Sequence, residues 1–246
     1  MAIQLRGWVF PTIITLNLTI RAFKLEFDCD AFPVRQIKVL IVEDDAFSRS
    51  TLIDALRHQG FEVVGATDNA LDARKACQSY FPDVAICDLD LGIGPTGIDI
   101  AHVLRKISPR IGLIILTSYR DPRLLDSEIP ALPTGTILMN KKELTSMAIL
   151  GMQITSAFKE PLKKRKQNWE KTGKFQSLST TQIEILKLVA DGYSTADIAK
   201  SRKVSEQSIE KTIQRICKNL EITLTKDRSQ RIQIVKAFFY GTGHEL

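Results

Sequence analysis

From Ile37 the chain alternates short apolar runs with amphipathic stretches. Lys38–Val42 (KVLIV) is continuous, too short for a core helix and rich in β-branched residues, so it predicts a buried strand. Ala46–Gln59 has helical spacing at Phe47, Leu52, Ile53 and Leu56 and stops at Gly60. A strand over Phe61–Ala66 then leads to a helix from Asn69 to Tyr80, with Asp68 as its N-cap. Asp83–Cys87 predicts a third strand, Ile98–Ile107 a helix, Ile111–Leu116 a fourth strand and Thr136–Met139 a weaker fifth. A helix from about Lys142 to Lys159 closes this half.

Strands buried on both faces and separated by helices imply parallel pairing with right-handed crossovers. The expected fold is a doubly wound, flavodoxin-like α/β domain with five parallel strands over residues 37–158. Its site should lie at the carboxyl ends of the strands. One crossover is irregular. Pro122, Pro130 and Pro133 require the fourth helix to be short or broken.

Residues 159–174 have little apolar periodicity and several lysines, and read as an exposed linker. From Phe175 the pattern is wholly helical. Ser179 with Gln182 forms a capping box that opens a helix over Thr180–Asp191, ended by Gly192. Ser194 caps a short helix to Ser201 or Arg202, and after a tight turn Ser205 caps another to about Asn219. A last helix covers roughly Lys226–Phe239, with Ile232, Val235, Phe238 and Phe239 at core spacing. Two helices joined by a short turn inside a four-helix unit form a helix-turn-helix, here over residues 175–246.

Composition adds two exclusions. The four cysteines, Cys29, Cys77, Cys87 and Cys217, form no CxxC pair, and with three histidines a zinc site is not expected. Reduced thiols point to the cytoplasm. The apolar stretch from Trp8 to Ile20 is broken by Pro11 and Asn17, lacks an export cleavage site and is too short to span a bilayer. Residues 1–36 are therefore expected to be a poorly ordered extension, with no membrane partner. Charge is divided: residues 37–150 carry a net −3 and residues 151–246 a net +8. An acidic half joined to a basic half is what a sensing domain tethered to a polyanion binder requires.

The acidic half places its polar residues on strand ends. Glu43, Asp44 and Asp45 follow the first strand, Asp88 the third, Thr117 the fourth and Lys141 the fifth. Clustered carboxylates repel one another unless a cation neutralises them, and hard oxygen ligands suit Mg²⁺. A hydroxyl and an ammonium at the same edge are partners for a transferred phosphoryl group.

The blocks IKVLIVEDDAFSR, VAICDLDLG, IILTS and ILMNKKEL resemble those of response-regulator receiver domains. The resemblance implies that Glu43, Asp44 and Asp88 hold Mg²⁺. It implies that Asp88 accepts a phosphoryl group from a sensor histidine kinase, and that Thr117 and Lys141 contact the phosphate. Two departures stand out. Leu138 lies three before Lys141, where receivers usually carry an aromatic switch residue, and the broken fourth helix falls in their usual output face. Lys142 takes the role of Lys141 if the register is one residue off.

The segment from Leu178 to Ile222 resembles the LuxR-type helix-turn-helix of the NarL/FixJ family at about fifteen spaced positions. Ile209, Ile213, Ile216 and Leu220 form an apolar stripe on the recognition helix. The opposite face presents Gln207, Ser208, Glu210, Lys211, Gln214, Arg215 and Lys218 to double-stranded DNA. Gln suits adenine edges, Lys and Arg suit guanine or phosphate, and Glu210 suits cytosine or the exclusion of other sites.

Taken together, the resemblance implies a two-component response regulator and transcription factor that acts as a homodimer and is not an enzyme, beyond slow loss of its own phosphoryl group. A regulator whose receiver serves only dimerisation or partner binding is the alternative. The DxD of Asp88 and Asp90 also invites a phosphohydrolase reading, but Gly92 stands where that class needs Thr or Val.

Overall fold

The computed structural model describes residues 35–165, 174–222 and 229–243. The expectation for residues 1–36 falls almost wholly outside them. The described residues from Gln36 onward form one compact unit.

Five parallel strands form one sheet in the order β2-β1-β3-β4-β5: β1 Lys38–Val42, β2 Glu62–Thr67, β3 Val84–Asp88, β4 Gly112–Thr117 and β5 Ile137–Asn140. The helices α1 (Ala46–His58), α2 (Ala70–Tyr80) and α3 (Gly97–Ile107) are the crossovers from β1 to β4, and α4 (Met147–Lys159) follows β5. Alternation along each strand explains why the runs are apolar throughout. Leu40, Val42, Ala85, Cys87, Leu113 and Ile115 join α2 and α3 in one core, whereas Val39, Ile41, Ile86, Ile114 and Leu116 join α1 and α4 in the other.

Local chemistry sets the element ends. Asp45 caps α1 by accepting from the Ser48 N–H, and Gly60 leaves that helix at φ +83°. Asn69, not the expected Asp68, caps α2 through the Asp72 N–H. The helix after β5 starts later than its sequence predicts. Asn140 accepts from the Lys142 N–H to form a 3-10 turn over Lys141–Glu143, and α4 begins only at Met147. That turn leaves Lys141 at the strand end rather than on the helix. Phe47, expected in the core, is 81% exposed.

The prolines do remove the fourth helix. After β4 the chain makes a 3-10 turn at Pro122–Leu124, and Tyr119, Leu125, Ile129 and Leu132 pack on the sheet core in place of a helix. Residues 160–165 are fastened rather than free: Arg165 donates to the carbonyls of Gly135 and Ser156, at 2.6 and 3.2 Å. The rest of the expected linker, 166–173, lies outside the described residues.

The helical part comprises α5 (Thr180–Ala190), α6 (Thr195–Arg202), α7 (Glu206–Asn219) and α8 (Gln230–Gly241). Ser179 with Gln182 and Ser194 with Asp197 form reciprocal capping boxes, and Ser205 caps α7 through the Ser208 N–H. Lys203 in the left-handed region makes the tight turn between α6 and α7. On α8 it is Ile234, not Ile232, that is buried.

Candidate functional site

Glu43 follows β1 and Asp88 ends β3, so parallel register brings both to the carboxyl edge of the sheet. Both are buried, whereas Asp44 is exposed. Carboxylate oxygens of Glu43, Asp44 and Asp88 all lie within 4.8 Å of one another. Asp45 is spent on capping α1 and takes no part.

The Lys141 ammonium reaches into this cluster from the end of β5. It donates to Glu43 Oε2 at 3.1 Å and to Asp88 Oδ2 at 3.0 Å. It is therefore Lys141, not Lys142, whose ammonium faces the carboxylates. One ammonium cannot offset two buried carboxylates and a third beside them. Burial, and then the Asp88 charge, pushes the Glu43 carboxyl up to about 7. Burial also raises Asp88, against the pull of Lys141. Desolvation works against the Lys141 ammonium, but the Asp88 and Glu43 carboxylates outweigh it and raise its pKa. Three convergent hard oxygens short of positive charge fit Mg²⁺.

Thr117 ends β4 beside this edge, with Asp88 paired to Leu116 in register. Its hydroxyl accepts from the Tyr119 N–H at 3.0 Å. Tyr119 also belongs to this edge, unexpected from the sequence. The Tyr119 phenol donates to Asp90 Oδ2 at 2.8 Å, joining the chain after β4 to the chain after β3. The signal was present: Asp90 lies two past Asp88, and Tyr119 two past Thr117. Gly97 completes the local frame, because a Cβ there would lie 1.9 Å from the Asp88 carbonyl oxygen. The start of α3 thus packs directly on the backbone of the acidic residue.

The second surface is on α7. Ile209, Ile213, Ile216 and Leu220 are buried as the stripe requires. Gln207, Ser208, Glu210, Lys211, Gln214, Arg215 and Lys218 are all exposed. Nothing else in the described structure covers that face.

Two family models match the chain: the response regulator receiver domain over residues 39–131 and the luxR family of bacterial regulatory proteins over 176–233. Together they cover more than half of it. The chain is a NarL/FixJ-type response regulator. Similar members of the family include the oxygen regulatory protein NreC of Staphylococcus epidermidis, 27% identical over 71% of this chain and 86% of NreC. The response regulator protein VraR of Staphylococcus saprophyticus is 26% identical over 85% of this chain and 98% of VraR.

Among solved structures, the fold is similar to that of the response regulator RcsB in complex with DNA. That match has a TM-score of 0.51 and 20% identity, over 82% of this chain and 98% of RcsB. RcsB dimers bound to two parallel DNAs give a TM-score of 0.53 at 19% identity, with the same coverage. Among the described residues of this response regulator no helix is long and apolar enough to cross a membrane.

Proposed function

We propose that Asp88 accepts a phosphoryl group from the phosphohistidine of a sensor kinase, and that the modified chain regulates transcription by binding double-stranded DNA through α7 as a homodimer in the cytoplasm. The observation that carries this reading is the buried Asp88 carboxylate held 3.0 Å from the Lys141 ammonium, within the cluster formed with Glu43 and Asp44.

An Asp88 carboxylate oxygen attacks phosphorus, a new O–P bond forms, and the N–P bond to imidazole breaks with its electron pair returning to the ring. Lys141, already at the carboxylate, faces the negative charge on the transferred group. Thr117 supplies a hydroxyl from the adjacent strand end. Glu43, Asp44 and Asp88 would hold Mg²⁺, which supplies further neutralisation of the phosphoryl oxygens. The product is an acyl phosphate that the protein loses slowly to water, so no external substrate is turned over.

The direct test is incubation with a small phosphodonor and Mg²⁺, followed by intact mass measurement and peptide mapping. One acid-stable, base-labile phosphoryl adduct on the peptide containing Asp88 is expected. A stoichiometric adduct on any other residue would overturn the assignment.

The cation reading has its own test in pH. Glu43 titrates near 4.5 when unfolded and about 7 in the fold. Below the lower value both states are protonated and no penalty exists. Between the two, only the unfolded state ionises, so stability without divalent cation falls as pH rises and the penalty is complete above about 7. Mg²⁺ is therefore expected to raise the melting temperature much more at pH 8 than at pH 5. An equal shift at both would remove the cation from this cluster.

A further inference from the structure

The carboxylates of the acidic cluster are not held alike. Glu43 and Asp88 are buried, and both accept from the Lys141 ammonium. Asp44 is exposed, and among the described residues nothing donates a hydrogen bond to its carboxylate. What holds Asp44 is its backbone.

The Arg49 guanidinium turns back from α1 and donates through Nη1 to the Glu43 carbonyl at 2.5 Å and the Asp44 carbonyl at 3.1 Å. Those carbonyls belong to the peptide groups on either side of the Asp44 Cα. One nitrogen therefore fixes the backbone from which the exposed carboxylate projects. The neighbours are tied as well. The Glu43 N–H donates to the Thr67 carbonyl at 3.0 Å, while Asp45 accepts from the N–H groups of Ser48 and Arg49 at 2.7 and 2.9 Å. The loop after β3 passes close to the same side chain, since a Cβ on Gly92 would lie 3.9 Å from Asp44 Oδ2.

Charge points the same way. The cluster has one ammonium for its carboxylates, so a second positive charge beside it lessens their repulsion. A guanidinium paired with the Asp44 carboxylate would take the lone pairs that a metal ion needs. The bonds of Arg49 go to carbonyls instead, so it brings positive charge to the edge and leaves the Asp44 oxygens free.

We propose that Arg49 is a positioning residue for the divalent cation: it holds the Asp44 carboxylate in a fixed place against Glu43 and Asp88, and this rigidity raises the preference for Mg²⁺ over Ca²⁺. Mg²⁺ demands short bonds and near-octahedral geometry, whereas Ca²⁺ accepts longer bonds to loosely placed oxygens. Fixing the one exposed ligand therefore favours the smaller ion. The inference rests on Glu43, Asp44 and Asp88 being the cation site.

Calorimetric titration of the full-length protein with MgCl₂ and, separately, CaCl₂ tests it. Arg49→Met keeps the length of the stem but neither its donors nor its charge. It should weaken Mg²⁺ binding by roughly tenfold and Ca²⁺ binding by no more than about threefold, so that the preference falls. Because a single nitrogen makes both bonds, the ammonium of Arg49→Lys can replace it, and the native preference should be kept within about twofold. Arg49→Gln, a shorter neutral donor and a milder change should Arg49→Met fail to fold, should fall between the two. Thermal melts in chelator report the fold, and a merely structural role would lower the melting temperature without changing the ratio of the two affinities.

Unchanged affinities in the neutral variants, or equal losses for the two ions, would overturn the positioning role and leave the cation site standing. A native protein that binds neither ion would bring down the site and the role of Arg49 together. Loss of the preference in Arg49→Lys would show that a cationic donor to these carbonyls is not what sets it.

Discussion

Asp88→Asn is expected to abolish the phosphoryl adduct completely and, without divalent cation, to melt at a higher temperature than the native protein. The two effects share one cause. The carboxamide has nearly the same shape but no oxygen nucleophilic enough to attack phosphorus. The charge it removes is one the fold holds at a cost: burial raises Asp88, and Asp88 in turn helps to raise Glu43. In the variant the Lys141 ammonium keeps Glu43 as a partner, and one buried carboxylate remains for one ammonium. A gain of about 1 kcal/mol, or about 3 °C in melting temperature, is the expected scale. Intact mass after phosphodonor treatment and thermal melts in chelator measure the pair of effects. A full adduct in the variant, or a variant less stable than the native protein above pH 7, would contradict the charge balance argued for the site.

That balance is largely legible in the sequence, because strand ends are easy to place. A five-residue apolar run followed by a carboxylate fixes both the strand and the edge on which the carboxylate sits. Glu43, Asp88 and Thr117 each directly follow an apolar run, and Lys141 lies one residue past another, after Asn140. The prolines at 122, 130 and 133 likewise announced the missing helix. Tyr119 with Asp90 was harder to see, since their meeting depends on the register of β3 against β4 and on where a loop folds back. Leu124 was harder still. A pair of leucines between prolines carries no periodicity, and the burial of Leu124 belongs to a core built some fifty residues later in the chain, with Phe175 and Leu178. Lys142 has good helical propensity, yet Asn140 captured its N–H and turned the segment into a 3-10 turn that aims Lys141 at the acidic cluster. Phe47 matched a helical stripe and still faces solvent, because the buried side of α1 centres on Leu52 and Leu56. Periodicity thus located the elements, while hydrogen bonds local to the site decided the details that matter for chemistry.

The double variant Lys211→Ala/Arg215→Ala is expected to lose roughly a hundredfold in affinity for a mixed-sequence DNA duplex near physiological salt, with no loss of fold. The two side chains are exposed and four residues apart on α7, so they project from one face and neither contributes to the stripe of Ile209, Ile213 and Ile216. Each cation that meets a phosphate releases condensed counterions, and losing two should flatten the slope of log K against log salt by about 2. A fall in affinity without a change of slope would assign the two residues to base edges instead. Glu210 sits between them in sequence and is also exposed. Placed near phosphate, its carboxylate repels, so Glu210→Ala should bind the same duplex several-fold more tightly while discriminating less between sequences. Fluorescence anisotropy over a salt series separates these effects, with circular dichroism reporting the fold. Native affinity and native slope in the double variant would take DNA contact away from this face of α7, whatever the fold resembles.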